Sequence, residues 1–179
     1  MVDTNCPWTK DEARQILNSW EEYSLYWVEE PINPPEDFES LSNLRADTFI
    51  PIAAGENACT SFEFKKMFDA EAVDYAQPSV TKVGGITEFK KINYLADTYG
   101  VQVMPHSPYF GPGFLATLHL AQSMPNPGLL ERFFIDFEAY LYPKEIFTPQ
   151  DGFFKTPDTI GLGLDPDKDV IKDFAVKTL

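Results

Sequence analysis

One pattern recurs along this chain and limits the folds open to it: a short apolar run, a polar residue at its end, and then a stretch of helical length. The runs lie in the phrases MVDTN, LYWVEEP, IPIAAGEN and VQVMPHS, and they end at Asp3, Glu29, Glu56 and His106. When helices join parallel strands, the carboxyl ends of neighbouring strands lie at one edge. The pattern therefore predicts that these four side chains face a common site.

The spacing of the apolar runs predicts six strands joined by five helices of similar size. The strand runs are almost continuously apolar, which is typical of parallel strands buried on both faces. The best-marked helix begins after Thr9, because Glu12 follows three residues later and completes a capping box. The other helices are expected near residues 37–44, 61–68, 87–99 and 114–123. Such a series predicts an α/β fold, either a barrel or an open doubly wound sheet.

Composition excludes several classes of partner. The formal net charge of −14 argues against binding to nucleic acids and to anionic membranes, since both need clustered Lys and Arg. The chain has two cysteines, Cys6 and Cys59, too few for a disulfide framework. No apolar stretch reaches the roughly 20 residues of a membrane span, and no basic segment followed by an apolar one begins the chain. We therefore expect a cytoplasmic protein with no nucleic-acid or membrane partner.

Carboxylates at the ends of adjacent strands can bind a hard divalent cation. Oxygen ligands, with no cysteine or second histidine in the pattern, favour Mg²⁺ over Zn²⁺. An imidazole at the same edge, here His106, can transfer protons. The alternatives are solvated acids at loop starts and a hydrogen-bonded structural histidine, and the latter is our interpretation of His119 in the middle of FLATLHLAQ.

Several motifs occur together in one order and carry a family resemblance. They are VDTN, EEP, GEN, KVGG at residues 82–85, the His of VQVMPHS, LER at residues 130–132 and GLGLD near the end. In this order they resemble the barrel domain of the mandelate racemase and muconate lactonizing enzyme branch of the enolase superfamily. The chain would then carry strands three to eight of a TIM-type (β/α) barrel. Residues 1–141 would be the incomplete barrel, and residues 142–179 a segment that packs against the family's capping domain.

The resemblance also implies the site. Asp3, Glu29 and Glu56 match the residues that bind Mg²⁺ in the family, and the first Glu of EEP selects Glu29 over Glu30. His106 matches the acid/base histidine, and Glu131 matches the LER glutamate that contacts the substrate. Ser79, at the end of the strand that precedes KVGG, could orient the imidazole by a hydrogen bond. The catalytic residues expected here are His106, Glu131 and Ser79.

The implied reaction is Mg²⁺-dependent removal of a proton alpha to a carboxylate, through an enediolate. The expected substrate is a small carboxylate such as a sugar acid, and the expected enzyme is a sugar-acid dehydratase or a cycloisomerase. A racemase or epimerase resembling mandelate racemase is the alternative. A full-length homo-oligomer is also implied.

Two departures from the family pattern favour a rival hypothesis, a catalytically inactive truncated fragment. Ser79 occupies the position where the family has Asp or Lys. A hydroxyl can orient an imidazole but cannot stabilise its cation by charge. The family's capping domain and its first two barrel strands have no counterpart before Met1.

We expect residues 1–179 expressed alone to aggregate and to be inactive. Without the first two strands, the edge of the first strand present would expose unpaired backbone groups. Size-exclusion chromatography and thermal unfolding with Mg²⁺ test this expectation. A soluble monomer with a sharp, cooperative transition would contradict it.

Overall fold

Five short parallel strands alternate with helices in the first part of the chain. The computed structural model describes residues 1–176. The strands are Val2–Asp3 (β1), Val28–Glu29 (β2), Ile52–Ala54 (β3), Tyr75–Ala76 (β4) and Gln102–Val103 (β5). They form one sheet in the order β1-β2-β3-β4-β5, and every pair of neighbours is parallel. Neighbours in space are thus neighbours in sequence, as in a (β/α) barrel, which confirms the predicted α/β class.

The described chain divides into two compact units. The first is Met1–His106 and contains the sheet with helices Lys10–Trp20 (α1), Phe38–Ala46 (α2), Ser61–Asp69 (α3) and Ile86–Thr98 (α4). The second begins at Ser107 and contains helices Pro112–Ser123 (α5) and Lys168–Asp173 (α6), with a 3₁₀ turn at Lys144–Phe147. The predicted division at residues 141 and 142 stays a prediction.

The first three helices begin at side-chain caps. The Thr9 side chain accepts from the backbone N–H of Glu12, and the Glu12 carboxylate accepts from the Thr9 backbone N–H at 2.8 Å. This confirms the capping box. At α2 and α3, the side chains of Asp37 and Thr60 accept from the backbone N–H groups of Ser40 and Glu63. No helix in residues 1–176 is long and apolar enough to cross a membrane.

Successive residues of the strands point to opposite faces of the sheet in the first unit, and each face carries apolar side chains. Val28 and Ile52 lie opposite each other in register and are fully buried. Trp27, Ala53 and Met104 form a different buried cluster, on the face to which Glu29 also belongs. One face of the sheet therefore carries both an apolar cluster and, at its carboxyl end, the predicted acids.

The second unit has its own apolar core. It consists of Phe114, Leu115, Leu118, Tyr142 and Phe147. His119 lies beside this core, with Nε2 3.2 Å from the carbonyl oxygen of Leu162. The interpretation of His119 as a hydrogen-bonded structural histidine is therefore confirmed.

The sixth predicted strand, LLERFFID, is wrong as a secondary-structure assignment. Residues 129–136 form no strand in the part of the chain that the structure describes. A strand requires a backbone partner, and the ladders of the described sheet join only β1 to β5. The Arg132 side chain donates to the carbonyl oxygens of Phe147 and Phe133. The turns expected after Tyr140 are present, since Asp151 and Gly152 both have positive φ between the mutually hydrogen-bonded Gln150 and Phe153.

Glu88 of α4 provides a pH test of the helix packing. Its carboxylate accepts from the Ser61 hydroxyl at 2.5 Å and from Lys91 at 2.9 Å, and these bonds lower its pKa from 4.5 to about 2. A depressed folded-state pKa stabilises the fold above the unfolded pKa, and this stabilisation is lost as the pH falls through the folded value. We expect Glu88→Gln to lower the Tm at pH 7 and the difference from wild type to shrink between pH 4.5 and 2. A difference that stays constant in a thermal-unfolding series would contradict this.

Candidate active site

Three titratable side chains converge at the carboxyl end of the sheet. The ligand atoms of Glu29, Glu56 and His106 all lie within 4.8 Å of one another. Glu29 is the last residue of β2, Glu56 follows β3 by two residues, and His106 follows β5 by three. Glu29 and His106 are each only 7% exposed. The parallel sheet thus brings together residues that are far apart in sequence.

Asp3 ends β1 directly opposite Glu29 in the parallel register. Its carboxylate accepts from the backbone N–H of Asn5 at 3.1 Å and is exposed. It stands at the same edge of the sheet but outside the group of three. Its assignment as a metal ligand stays a prediction.

Glu56 lies between the imidazole of His106 and the ammonium group of Lys82. Its Oε2 is 3.0 Å from Nδ1 of His106, and its Oε1 is 3.3 Å from Nζ of Lys82. The hydrogen bond with His106 lowers the pKa of Glu56, and the charges of His106 and Lys82 add to this against the opposing effect of burial. Position 79 carries no acid, but the imidazole has a carboxylate neighbour, which the sequence motifs alone did not indicate.

The buried Glu29 carboxylate receives a hydrogen bond from the interior. The indole Nε1 of Trp27 donates to Oε2 of Glu29 at 3.2 Å, and both side chains are buried. Sequence reasoning missed Trp27. The signal was present, because residues two apart in a strand face the same side.

Gly55 sets the path of the backbone into Glu56. Its φ is +137°, and a Cβ at this position would lie 2.9 Å from Cε1 of Phe64 and 3.0 Å from the backbone nitrogen of Gln77. Both the conformation and the close packing require glycine. The carboxylate at position 56 is therefore carried by a backbone with little freedom.

Ser79 and Glu131 have defined contacts, but their catalytic roles stay predictions. The Ser79 hydroxyl oxygen lies 3.0 Å from that of Thr81, and the side chain is fully buried. In the second unit, the Glu131 carboxylate accepts from the backbone N–H of Ser107 at 3.0 Å.

The donor set fits a hard divalent cation. Glu29 and Glu56 supply carboxylate oxygens from within a partly enclosed cluster, and Asp3 offers another on the adjacent strand. Oxygen donors are the ligands that Mg²⁺ prefers. The group could therefore hold a metal ion.

A family model described as enolase C-terminal domain-like matches residues 1–170. The chain belongs to this family. The resemblance to the mandelate racemase and muconate lactonizing enzyme branch of the enolase superfamily is thus confirmed. This chain is 30% identical to the curated D-xylonate dehydratase of Haloferax volcanii over 181 residues. The match covers 98% of this chain and 43% of the relative. The chain therefore spans less than half the length of this relative.

Solved structures of related proteins share the fold. The 3,6-anhydro-D-galactonate cycloisomerase of Zobellia galactanivorans matches with a TM-score of 0.85 and 31% identity, over 99% of this chain and 50% of that protein. The L-talarate dehydratase of Polaromonas sp. JS666, solved with Mg and L-glucarate, matches with a TM-score of 0.79 and 30% identity, over 96% and 46%. An enolase-superfamily barrel is thus the fold to which this chain corresponds.

The glycine at position 55 can be tested by adding one methyl group. We expect Gly55→Ala to reduce the free energy of unfolding by roughly 1–3 kcal/mol, because it combines strained backbone with a steric clash. The matched control is Gly84→Ala, where φ is +95° but no atom lies within 4 Å of the added carbon. Urea unfolding should show the larger loss at position 55. Equal losses would show that the contact with Phe64 is unimportant.

Proposed function

We propose that this chain forms the catalytic face of an enzyme that removes a proton alpha to the carboxylate of a sugar acid. Dehydration or cycloisomerisation would complete the reaction. The observation that carries the proposal is the convergence of Glu29, Glu56 and His106 at one edge of a parallel sheet. It combines acidic ligands with a proton-transfer group, and this reaction needs both.

The substrate class is supported by the relatives. One is a D-xylonate dehydratase and another a 3,6-anhydro-D-galactonate cycloisomerase, and a third was solved with Mg and L-glucarate. These compounds share a carboxylate and neighbouring hydroxyl groups. A small polyhydroxy carboxylate is therefore the class of substrate that we assign to this site. The cytoplasmic location and the homo-oligomer remain predictions from the sequence.

Mg²⁺ is the cation that we assign to the acids. Glu29 and Glu56 would hold it, with Asp3 as the third ligand on the neighbouring strand. When bound, such a cation supplies positive charge that stabilises the negative charge developing on the substrate carboxylate.

His106 would move the protons. It is buried beside Glu56, whose carboxylate lies 3.0 Å from Nδ1 and thereby restricts the orientation of the ring. In dehydration, removal of the alpha proton is followed by departure of the beta-hydroxyl, which takes up a proton and leaves as water. An imidazole can accept the first proton or donate the second. We assign His106 to one or both of these transfers.

His106→Asn tests this assignment. In the full-length protein, we expect the variant to lose about 10²–10⁴-fold in turnover, the usual contribution of a general acid or base, with little change in Tm. Dehydration is measured as formation of a keto acid from sugar acids such as D-xylonate and L-talarate. In ²H₂O, isotope at the alpha carbon of recovered, stereoinverted substrate would indicate racemisation instead.

The matched control is His119→Asn. The chain has two histidines, and His119 contacts the Leu162 carbonyl in the second unit. The His119→Asn variant should retain wild-type turnover. A His106→Asn variant as active as wild type would refute the assignment, and turnover after complete removal of divalent cations would refute the role of Mg²⁺.

A further inference from the structure

Glu30, which follows Glu29, is a buried carboxylate whose role the proposed chemistry leaves open. It is only 4% exposed and lies outside the group of three converging ligands. Its Oε2 accepts from the Cys6 thiol at 2.9 Å and from the side-chain amide of Asn57, and its Oε1 accepts from the backbone N–H of Gly55 at 3.4 Å. Burial, followed by the hydrogen bond to Glu30, raises the pKa of Cys6 to about 12, so the thiol keeps its proton and can donate.

These donors belong to the loops that carry the other acids. Cys6 follows Asp3 by three residues, and Gly55 and Asn57 lie on either side of Glu56. The side chain of Glu30 therefore connects the ends of β1 and β3 to the end of β2. The backbone adds to the connection, because the Glu30 carbonyl accepts from the N–H of Cys6 at 2.7 Å.

The loops adopt conformations that need such support. Asn5, Cys6 and Glu30 have φ of 55°, 54° and 46°, in the left-handed region that residues other than glycine rarely adopt. Conformations of this kind persist where the surroundings hold them in place. The hydrogen bonds of the Glu30 carboxylate fix the side chains of Cys6 and Glu30, and they can thereby hold both residues in this conformation.

We propose that Glu30 is a positioning residue, whose carboxylate holds the three strand-end loops so that Asp3, Glu29 and Glu56 present one cation site. Glu30 itself does not bind the cation. The inference rests on the proposed function, because it concerns the same cation. It assigns distinct tasks to the two adjacent acids of the EEP phrase, Glu29 as a ligand and Glu30 as the support of the ligand loops.

A purely electrostatic role would have a different signature. The negative charge of Glu30 could attract a cation without any contact to the loops. Asn57→Ala separates the two mechanisms, because it removes one donor to the carboxylate and leaves the charge at position 30 in place. Asn57 is exposed, so this variant does not disturb the core.

The experiment is a titration of the purified, metal-free full-length protein with Mn²⁺, a cation that prefers oxygen ligands as Mg²⁺ does. Electron paramagnetic resonance follows the binding of Mn²⁺. We expect Glu30→Gln to weaken Mn²⁺ binding about 10–100-fold, the usual effect of losing a residue that orients metal ligands. Asn57→Ala should weaken binding in the same direction. The double variant should bind Mn²⁺ about as well as Glu30→Gln, because both substitutions disrupt the same hydrogen bond between Asn57 and Glu30. Glu36→Gln, which removes an exposed acid lining the same cavity as Glu30, should bind like wild type.

Each outcome decides the proposal. Wild-type Mn²⁺ affinity in both Glu30→Gln and Asn57→Ala would overturn the positioning role. It would not contradict the cation site of the proposed function. Weakened binding in Glu30→Gln and Glu36→Gln, with Asn57→Ala unchanged, would show a charge effect and also overturn it. Failure of the wild type to bind Mn²⁺ would refute the proposed function together with this inference. Should Glu30→Gln fail to fold, as checked by thermal unfolding, the exposed Asn57→Ala alone decides.

Discussion

The backbone ladder between parallel strands is the constraint on which the site depends. Asp3, Glu29 and Ala53 are paired in register across β1, β2 and β3, and this pairing brings the ends of the three strands to one level. A shift by one residue would turn every side chain to the opposite face of the sheet. Glu29 would then leave the face it shares with Trp27 and point toward the layer of Val28 and Ile52. The register therefore decides whether the acids form a site or disturb the core.

Acids packed this closely repel one another, and each buried one has its own donors. Trp27 donates to Glu29, three groups donate to Glu30, and His106 with Lys82 flanks Glu56. Burying a charge without partners is costly, so these contacts are a condition for the cluster to exist. Most of the partners come from different loops, which makes the site a property of the assembled sheet.

The sequence predicted those features that local chemistry determines. The helices capped by Thr9, Asp37 and Thr60 begin where the sequence pattern placed them, and each cap acts on a backbone N–H three residues later. The converging ends of β2, β3 and β5 followed from the repeated unit. Contacts such as the one between Glu56 and His106 could not be predicted, because they depend on side-chain rotamers and on distances across the sheet. LLERFFID failed for a related reason: an apolar run describes a preference, whereas a strand needs a partner.

The packing at position 55 has a consequence for how this kind of site can diversify. The hydrogen atom of Gly55 faces the ring of Phe64 in α3, so the loop bearing an acid is in contact with a helix of the core. A larger residue at 55 would meet both the Phe64 ring and the backbone of Gln77 and would also strain the chain, so a single substitution there destabilises the fold. Descendants of this chain that keep its fold are therefore expected to inherit glycine at this turn.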